Sequence, residues 1–172
     1  MAWWQLQHPL LPRTPGDMDP LRSELLLLLD GGRAHVRVLD AVTGFAPEHR
    51  GLRLPGCAHS PWELLEHLRI AQQDILDYCL GSRYRERPFP DGYWPRHPTP
   101  PNRRAWARSV AAFRADLGRL RAVVRDRTID LLTPLPRCGV SWLHELCIVA
   151  NHNSYHAGQL VQLRKSLHQQ RP

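Results

Sequence analysis

Apolar residues recur along this chain at alternating intervals of three and four, the spacing that gathers side chains on one face of an α-helix. Four segments carry the pattern. The first opens at Asp19-Pro20, a capping residue followed by proline at the first helical position, and runs through Leu21, Leu25, Leu28, Gly32, His35, Leu39 and Val42. The second opens at Ser60-Pro61-Trp62-Glu63, where serine caps and a glutamate three residues on completes a capping box. Its stripe is Leu64, Leu68, Ala71, Ile75 and Tyr78, and Gly81 is its expected stop. The third begins near Asn102, repeats as Trp106, Val110, Phe113, Leu117, Leu120 and Val124, and ends before Pro134 and Pro136. The fourth follows Ser141, its expected cap, with Leu146, Val149, Asn153, His156, Leu160, Leu163 and Leu167 on one face. No segment alternates at period two strongly enough to be a half-buried strand. Four amphipathic helices with long irregular connections predict an all-α protein, a four-helix bundle.

Three places depart from a plain bundle. Gly31-Gly32 interrupts the first stripe, and each glycine costs about 1 kcal/mol against alanine inside a helix. Either the helix kinks or breaks there, or it passes close to a neighbour or ligand. Residues 82–101 are proline-rich, with Pro88-Phe89-Pro90-Asp91-Gly92-Tyr93-Trp94-Pro95 at their centre, and form a long connection of the kind that often carries function. Tyr93 and Trp94 then either cover a pocket or plug one end of the bundle. Residues 1–18 hold Pro9, Pro12, Pro15 and Gly16 among aromatics and leucines. They read as an irregular arm, with residues 19–172 as a single domain.

Composition narrows the class. A chain of 172 residues suits one domain with a real core. Its longest leucine run, Leu25 to Leu29, is far too short to span a membrane, and its first residues lack the basic start and apolar core of a signal peptide. A cytoplasmic protein is expected. Cys57, Cys79, Cys138 and Cys147 form no C-x-x-C pair and read as free thiols. The net charge of +7 raises nucleic acid as a partner. Yet the 22 arginines and one lysine are scattered among acids, with Arg103-Arg104 the only adjacent arginine pair. A solvated basic surface is the better reading, and DNA binding would require a steep salt dependence.

Ten histidines are the stronger chemical signal. His152 and His156 are four apart on a helical segment, so their rings lie one turn apart on one face. His67, on the second helix, lies about 60° from the centre of its stripe and faces partly inward. Three histidines with a fourth position open to water is the donor set of hydrolytic or Lewis-acid zinc sites, where the metal lowers the pKa of a bound water or thiol. Glu63, Asp74, Asn153 and Gln159 are candidates to orient the rings by accepting hydrogen bonds from them. His144 is turned about 80° from His152 and is the poorer ligand. The plainer alternative is a set of core histidines in structural hydrogen bonds, and spacing does not decide between the two.

A family resemblance adds to this. The segment Pro61-Trp62-Glu63-Leu64-Leu65-Glu66-His67-Leu68-Arg69-Ile70-Ala71-Gln72-Gln73-Asp74-Ile75-Leu76 resembles the second helix of DinB-like proteins, the DinB/YfiT superfamily. His152-Asn153-Ser154-Tyr155-His156-Ala157-Gly158-Gln159-Leu160 is similar to the signature of that family's last helix. Gly31-Gly32-Arg33-Ala34-His35 and Pro90-Asp91-Gly92-Tyr93-Trp94-Pro95 resemble one branch of it. The resemblance implies an up-down-down-up bundle. It also implies a divalent metal, usually zinc or nickel, held by His67, His152 and His156. Some members are transferases or isomerases that use a low-molecular-weight thiol such as mycothiol, bacillithiol or glutathione. Others have no established activity. The family name refers to induction by DNA damage and does not imply DNA binding. Dimers are common, so a homodimer is expected. The function this implies is a metal-dependent thiol S-transferase acting on small electrophiles. His35, on the first stripe just after the glycine pair, either lines the metal pocket as an acid/base or extra ligand or is a buried histidine bonded to a backbone carbonyl; in the enzyme reading it or Tyr155 assists proton transfer. The alternative is a non-catalytic metal-binding stress-response module, its site closed by His35 or Asp74 as a fourth ligand.

Overall fold

The computed structural model describes residues 19–81 and 84–169; the expected arm over residues 1–18 lies outside them. The described chain is all-α: α1 (Pro20–Asp30), a short α2 (Val38–Ala41), α3 (Pro61–Leu80), α4 (Ala105–Arg125) and α5 (Trp142–Gln169). Single 3₁₀ turns form at Pro47–His49 and Asp91–Tyr93. Among the described residues there is no strand, only isolated bridges pairing Gly31 with Arg37 and Pro134 with Ser141.

Local chemistry sets the helix ends. Four amide N–H groups at each helix start lack a partner within the helix, and a side-chain oxygen can satisfy one. Asp19 accepts from the Leu21 amide at 3.1 Å. At α3 the capping box is complete: Ser60 Oγ accepts from the Glu63 amide at 3.2 Å, and Glu63 Oε2 accepts from the Ser60 amide at 2.8 Å. Ser141 Oγ accepts from the His144 amide at 3.2 Å at the start of α5.

The first amphipathic stripe is not one helix. Gly31 and Gly32 take φ of 68° and 90°, left-handed values that only glycine adopts at little cost, so α1 ends there. The Gly31 amide closes the last turn on the carbonyls of Leu27 and Leu28. Within α1 itself Leu25 and Leu29 are buried, whereas Leu28, a member of the expected stripe, is exposed.

The principal contacts run in a cycle, with α1 and α3 each packed on both α4 and α5. Gln72 of α3 donates to the Phe113 carbonyl of α4 at 2.9 Å. Arg22 of α1 donates to the carbonyls of Val124, Asp126 and Ile129, which ties the start of α1 to the end of α4. The core is built from Leu29, Leu64, Leu65, Leu68, Leu76, Phe113, Leu117, Leu120, Leu146 and Leu160, all with less than 2% of their surface exposed. Truncating any one of these leucines to alanine removes about 2–5 kcal/mol. On α5 every member of the predicted stripe is buried, including polar Asn153 and His156. On α3 burial is wider than one stripe and takes in Gln72 and Asp74. That helix is covered by α4, by α5 and by the turn at Asp91–Tyr93.

Candidate metal centre

α3 and α5 pack side by side and bring His67 against His152 and His156. One ligand-capable atom from each of the three lies within 4.8 Å of the other two, and no other such group of three or more occurs among the described residues. His67 Nε2 and His152 Nε2 are 2.9 Å apart. The ring centroids are 4.6–4.8 Å apart, each pair edge to face. The three rings are thus packed against one another edge to face between α3 and α5.

The proton positions follow from the partners. His67 Nδ1 lies 2.9 Å from the Tyr93 carbonyl, which can only accept, so Nδ1 carries the proton and Nε2 the lone pair, which faces His152 Nε2. His156 Nδ1 lies 2.6 Å from Gln159 Oε1, which likewise leaves its Nε2 as a donor to a metal. Burial is the first cause that lowers the pKa of all three rings. His67 is shifted down, and the Tyr93 bond opposes the shift in part. His152 and His156 are each pushed down to about 4, with repulsion from the neighbouring imidazoles adding to burial. At neutral pH all three are uncharged, the form that binds metal.

This donor set fits a divalent ion of the zinc or nickel kind, for which imidazole is a suitable ligand. One ligand-capable nitrogen of each ring already lies within 4.8 Å of the other two, so the donors are gathered closely enough to share one ion. Zinc or nickel at this centre would be held by His67, His152 and His156.

The remaining expected residues fall in different places. Gln159 bonds directly to His156. Asn153 is buried but turns to Gln72, to which it donates at 3.2 Å. Glu63 is consumed by the α3 cap and by Arg53, whose Nε lies 2.8 Å from Oε2. Asp74 touches none of the three rings; it accepts from the hydroxyls of Tyr93 and Tyr84 and pairs with Arg87. His35 lies on the far side of α5, with Nε2 2.9 Å from Ser154 Oγ and Nδ1 2.7 Å from the Val36 carbonyl. Tyr155 is 64% exposed, with its ring centroid 4.9 Å from that of His156.

Two neighbours of the centre lie outside that set. The Trp94 indole lies flat on His67, at 4.0 Å and 3°, and flat on His59, at 3.8 Å and 11°. Two rings stacked that close to one centroid cannot share a face, so the indole is held between the imidazoles. Among the described residues His59 Nδ1 is buried without a hydrogen-bond partner, and burial lowers its pKa. The aromatic pair Tyr93-Trp94 was the sequence signal for this roof. The carbonyl of Tyr93 left no signal, because every residue has one.

An all-helical chain with three neutral imidazoles converging between two of its helices defines a class of helical proteins equipped to bind a metal. The chain belongs to the DinB superfamily, whose family model matches residues 12–160. No curated protein and no solved structure is a significant match to it.

Proposed function

We propose that this protein is a metal-dependent enzyme, a thiol S-transferase that joins a low-molecular-weight thiol to a small electrophile. The observation that carries the reading is the convergence of His67, His152 and His156 as neutral donors with no fourth protein ligand beside them among the described residues. Catalytic sites keep such a position open, whereas structural sites close it. The two candidates for closing it are committed elsewhere: His35 to Ser154 and Val36, and Asp74 to Tyr84, Tyr93 and Arg87. A closed stress-response module therefore has less support.

When bound, the metal would supply Lewis acidity that favours the thiolate form of a thiol. The chain's own part is to hold and orient. Tyr93 and Gln159 fix the ring protons of His67 and His156. Trp94 shields one side of His67 from water. Tyr155, exposed beside His156, is placed to donate or accept a proton at its hydroxyl. A cytoplasmic setting, where such thiols are kept reduced, belongs to the same reading. No helix among the described residues is long and apolar enough to cross a membrane. A homodimer is also part of it and would sediment at twice the 19.8 kDa chain mass.

The test is metal content by mass spectrometry on untagged protein purified without added metal, wild type beside His152→Ala. About one metal per chain, lost in the variant, is expected. A wild type that is metal-free and cannot be loaded with zinc or nickel would overturn the centre. Loaded protein that consumes no thiol across a panel of electrophiles would overturn the transferase assignment alone.

A further inference from the structure

Of the three imidazoles, His67 alone is supplied by α3. His156 finds its orienting partner one turn along its own helix, at Gln159. The partner of His67 comes from the connection between α3 and α4, from a backbone carbonyl. Tyr93 is engaged at two ends. Its carbonyl accepts from His67 Nδ1 at 2.9 Å, and its hydroxyl donates to Asp74 Oδ2 at 2.7 Å. Asp74 lies two turns along α3 from His67 and is 8% exposed. The same helix thus carries both the ring to be oriented and the carboxylate that anchors the residue orienting it.

We infer that Tyr93 is a positioning residue for the metal centre: a strut anchored on Asp74 through its hydroxyl, which sets the Nδ1–H tautomer and ring plane of His67 through its carbonyl. The inference rests on the three-histidine reading above.

The surroundings are built for this. Asp74 is also held by Tyr84, at 3.3 Å to the same Oδ2, and by Arg87, at 3.3 Å to Oδ1, so the anchor is itself fixed. Burial and the Asp74 carboxylate both push the Tyr93 phenol well above its usual range, so it stays a hydrogen-bond donor. The backbone around Tyr93 is stiffened by a 3₁₀ turn, in which the amides of Tyr93 and Trp94 bond to the carbonyls of Pro90 and Asp91, and by the bond of the Gly92 amide to the Pro88 carbonyl just before it. Trp94 follows directly, so the placement that aims the Tyr93 carbonyl also lays the indole on the face of His67. Asp74 acts on His67 without touching it. Partners that orient a ligand in this way typically carry about 10–100-fold in metal affinity.

The experiment uses the full chain in three forms: wild type, Tyr93→Phe and Tyr84→Phe. Phenylalanine at 93 keeps the carbonyl and the ring and removes only the hydroxyl. Tyr84 donates to the same Asp74 oxygen but offers nothing to His67, so it controls for general loosening of the anchor. The first readout is long-range proton–nitrogen NMR of the imidazoles in metal-free protein. Wild type is expected to show His67 as the Nδ1–H tautomer. Tyr93→Phe is expected to lose that preference, and Tyr84→Phe to keep it. The second readout is zinc affinity by chelator competition, with about a tenfold loss in Tyr93→Phe and less than about twofold in Tyr84→Phe.

An Nε2–H tautomer in wild type overturns the proposal outright, whether or not either variant folds. An unchanged tautomer in Tyr93→Phe, or equal losses in the two variants, overturns it as well. If the tautomer responds as expected but wild type binds neither zinc nor nickel, the metal-centre reading falls, and the role assigned to Tyr93 falls with it.

Discussion

Replacing Gln159 by leucine tests the centre at its most local contact. Gln159 Oε1 accepts from His156 Nδ1 at 2.6 Å, and His156 is 6% exposed, so no water stands ready to replace the lost acceptor. Leucine and glutamine have nearly equal helix propensities, so α5 itself is little disturbed. Two effects follow. Without metal, the Nδ1–H is left buried and unpaired, which costs about 1–3 kcal/mol of stability. With metal, His156 no longer has its tautomer held with Nε2 free. The expected loss is about 10–100-fold in affinity, or about 1.4–2.7 kcal/mol. Zinc competition against a chromogenic chelator measures the second, and urea unfolding in the presence of chelator measures the first. Zinc affinity within about twofold of wild type, in a variant that still carries one metal per chain, would refute the claim that Gln159 orients a ligand.

Three further outcomes are expected. Gly31→Ala forces alanine into φ 68° and sets its Cβ 2.7 Å from His35 Cε1, so it should destabilise by more than about 1 kcal/mol, whereas Gly158→Ala, in α5 with open space around it, should stabilise by up to about 1 kcal/mol; urea midpoints of the same sign would contradict this. In metal-free protein, His152 and His156 titrate at about 4 against the ordinary 6.5, so the unfolded chain binds protons between those values that the folded chain refuses. Stability is then greatest above pH 6.5 and falls as pH drops toward 4, with His67 shifted in the same direction; a urea midpoint equal at pH 7 and pH 5 would contradict the burial of the rings. Cys57 and Cys147 are exposed, while Cys79 is buried with its thiol pushed up to about 12, so iodoacetamide at pH 8 should label the first two and spare Cys79 until the protein unfolds. Equal labelling rates for Cys79 and Cys147 would count against that packing.

What could be read from the chain was whatever repeats or stands at a local junction. The α5 stripe from Leu146 to Leu167 was visible because burial on one side of a helix imposes its own period. The caps at Asp19, Ser60 and Ser141 were visible because a cap is a contact between residues two or three apart. The pairing of His152 with His156 was visible for the same reason. Gly31-Gly32 was noticed but not resolved, because a glycine pair is compatible with a kink, a break or a close approach. The structure resolves it as a break through two left-handed backbones.

Everything that depends on which surfaces meet was decided only by folding. The docking of His67 against the α5 pair joins residues 85 positions apart, and no local pattern encodes that distance. Four polar residues looked equally able to orient the rings. Only Gln159 does so directly, since Glu63 is drawn into the cap, Asn153 to Gln72, and Asp74 to Tyr93, Tyr84 and Arg87. Side-chain type states what a group can bond to, and the neighbours settle which bond is made. The Tyr93 carbonyl is the extreme case. Its chemistry is common to every residue in the chain, and only its placement over His67 gives it a role.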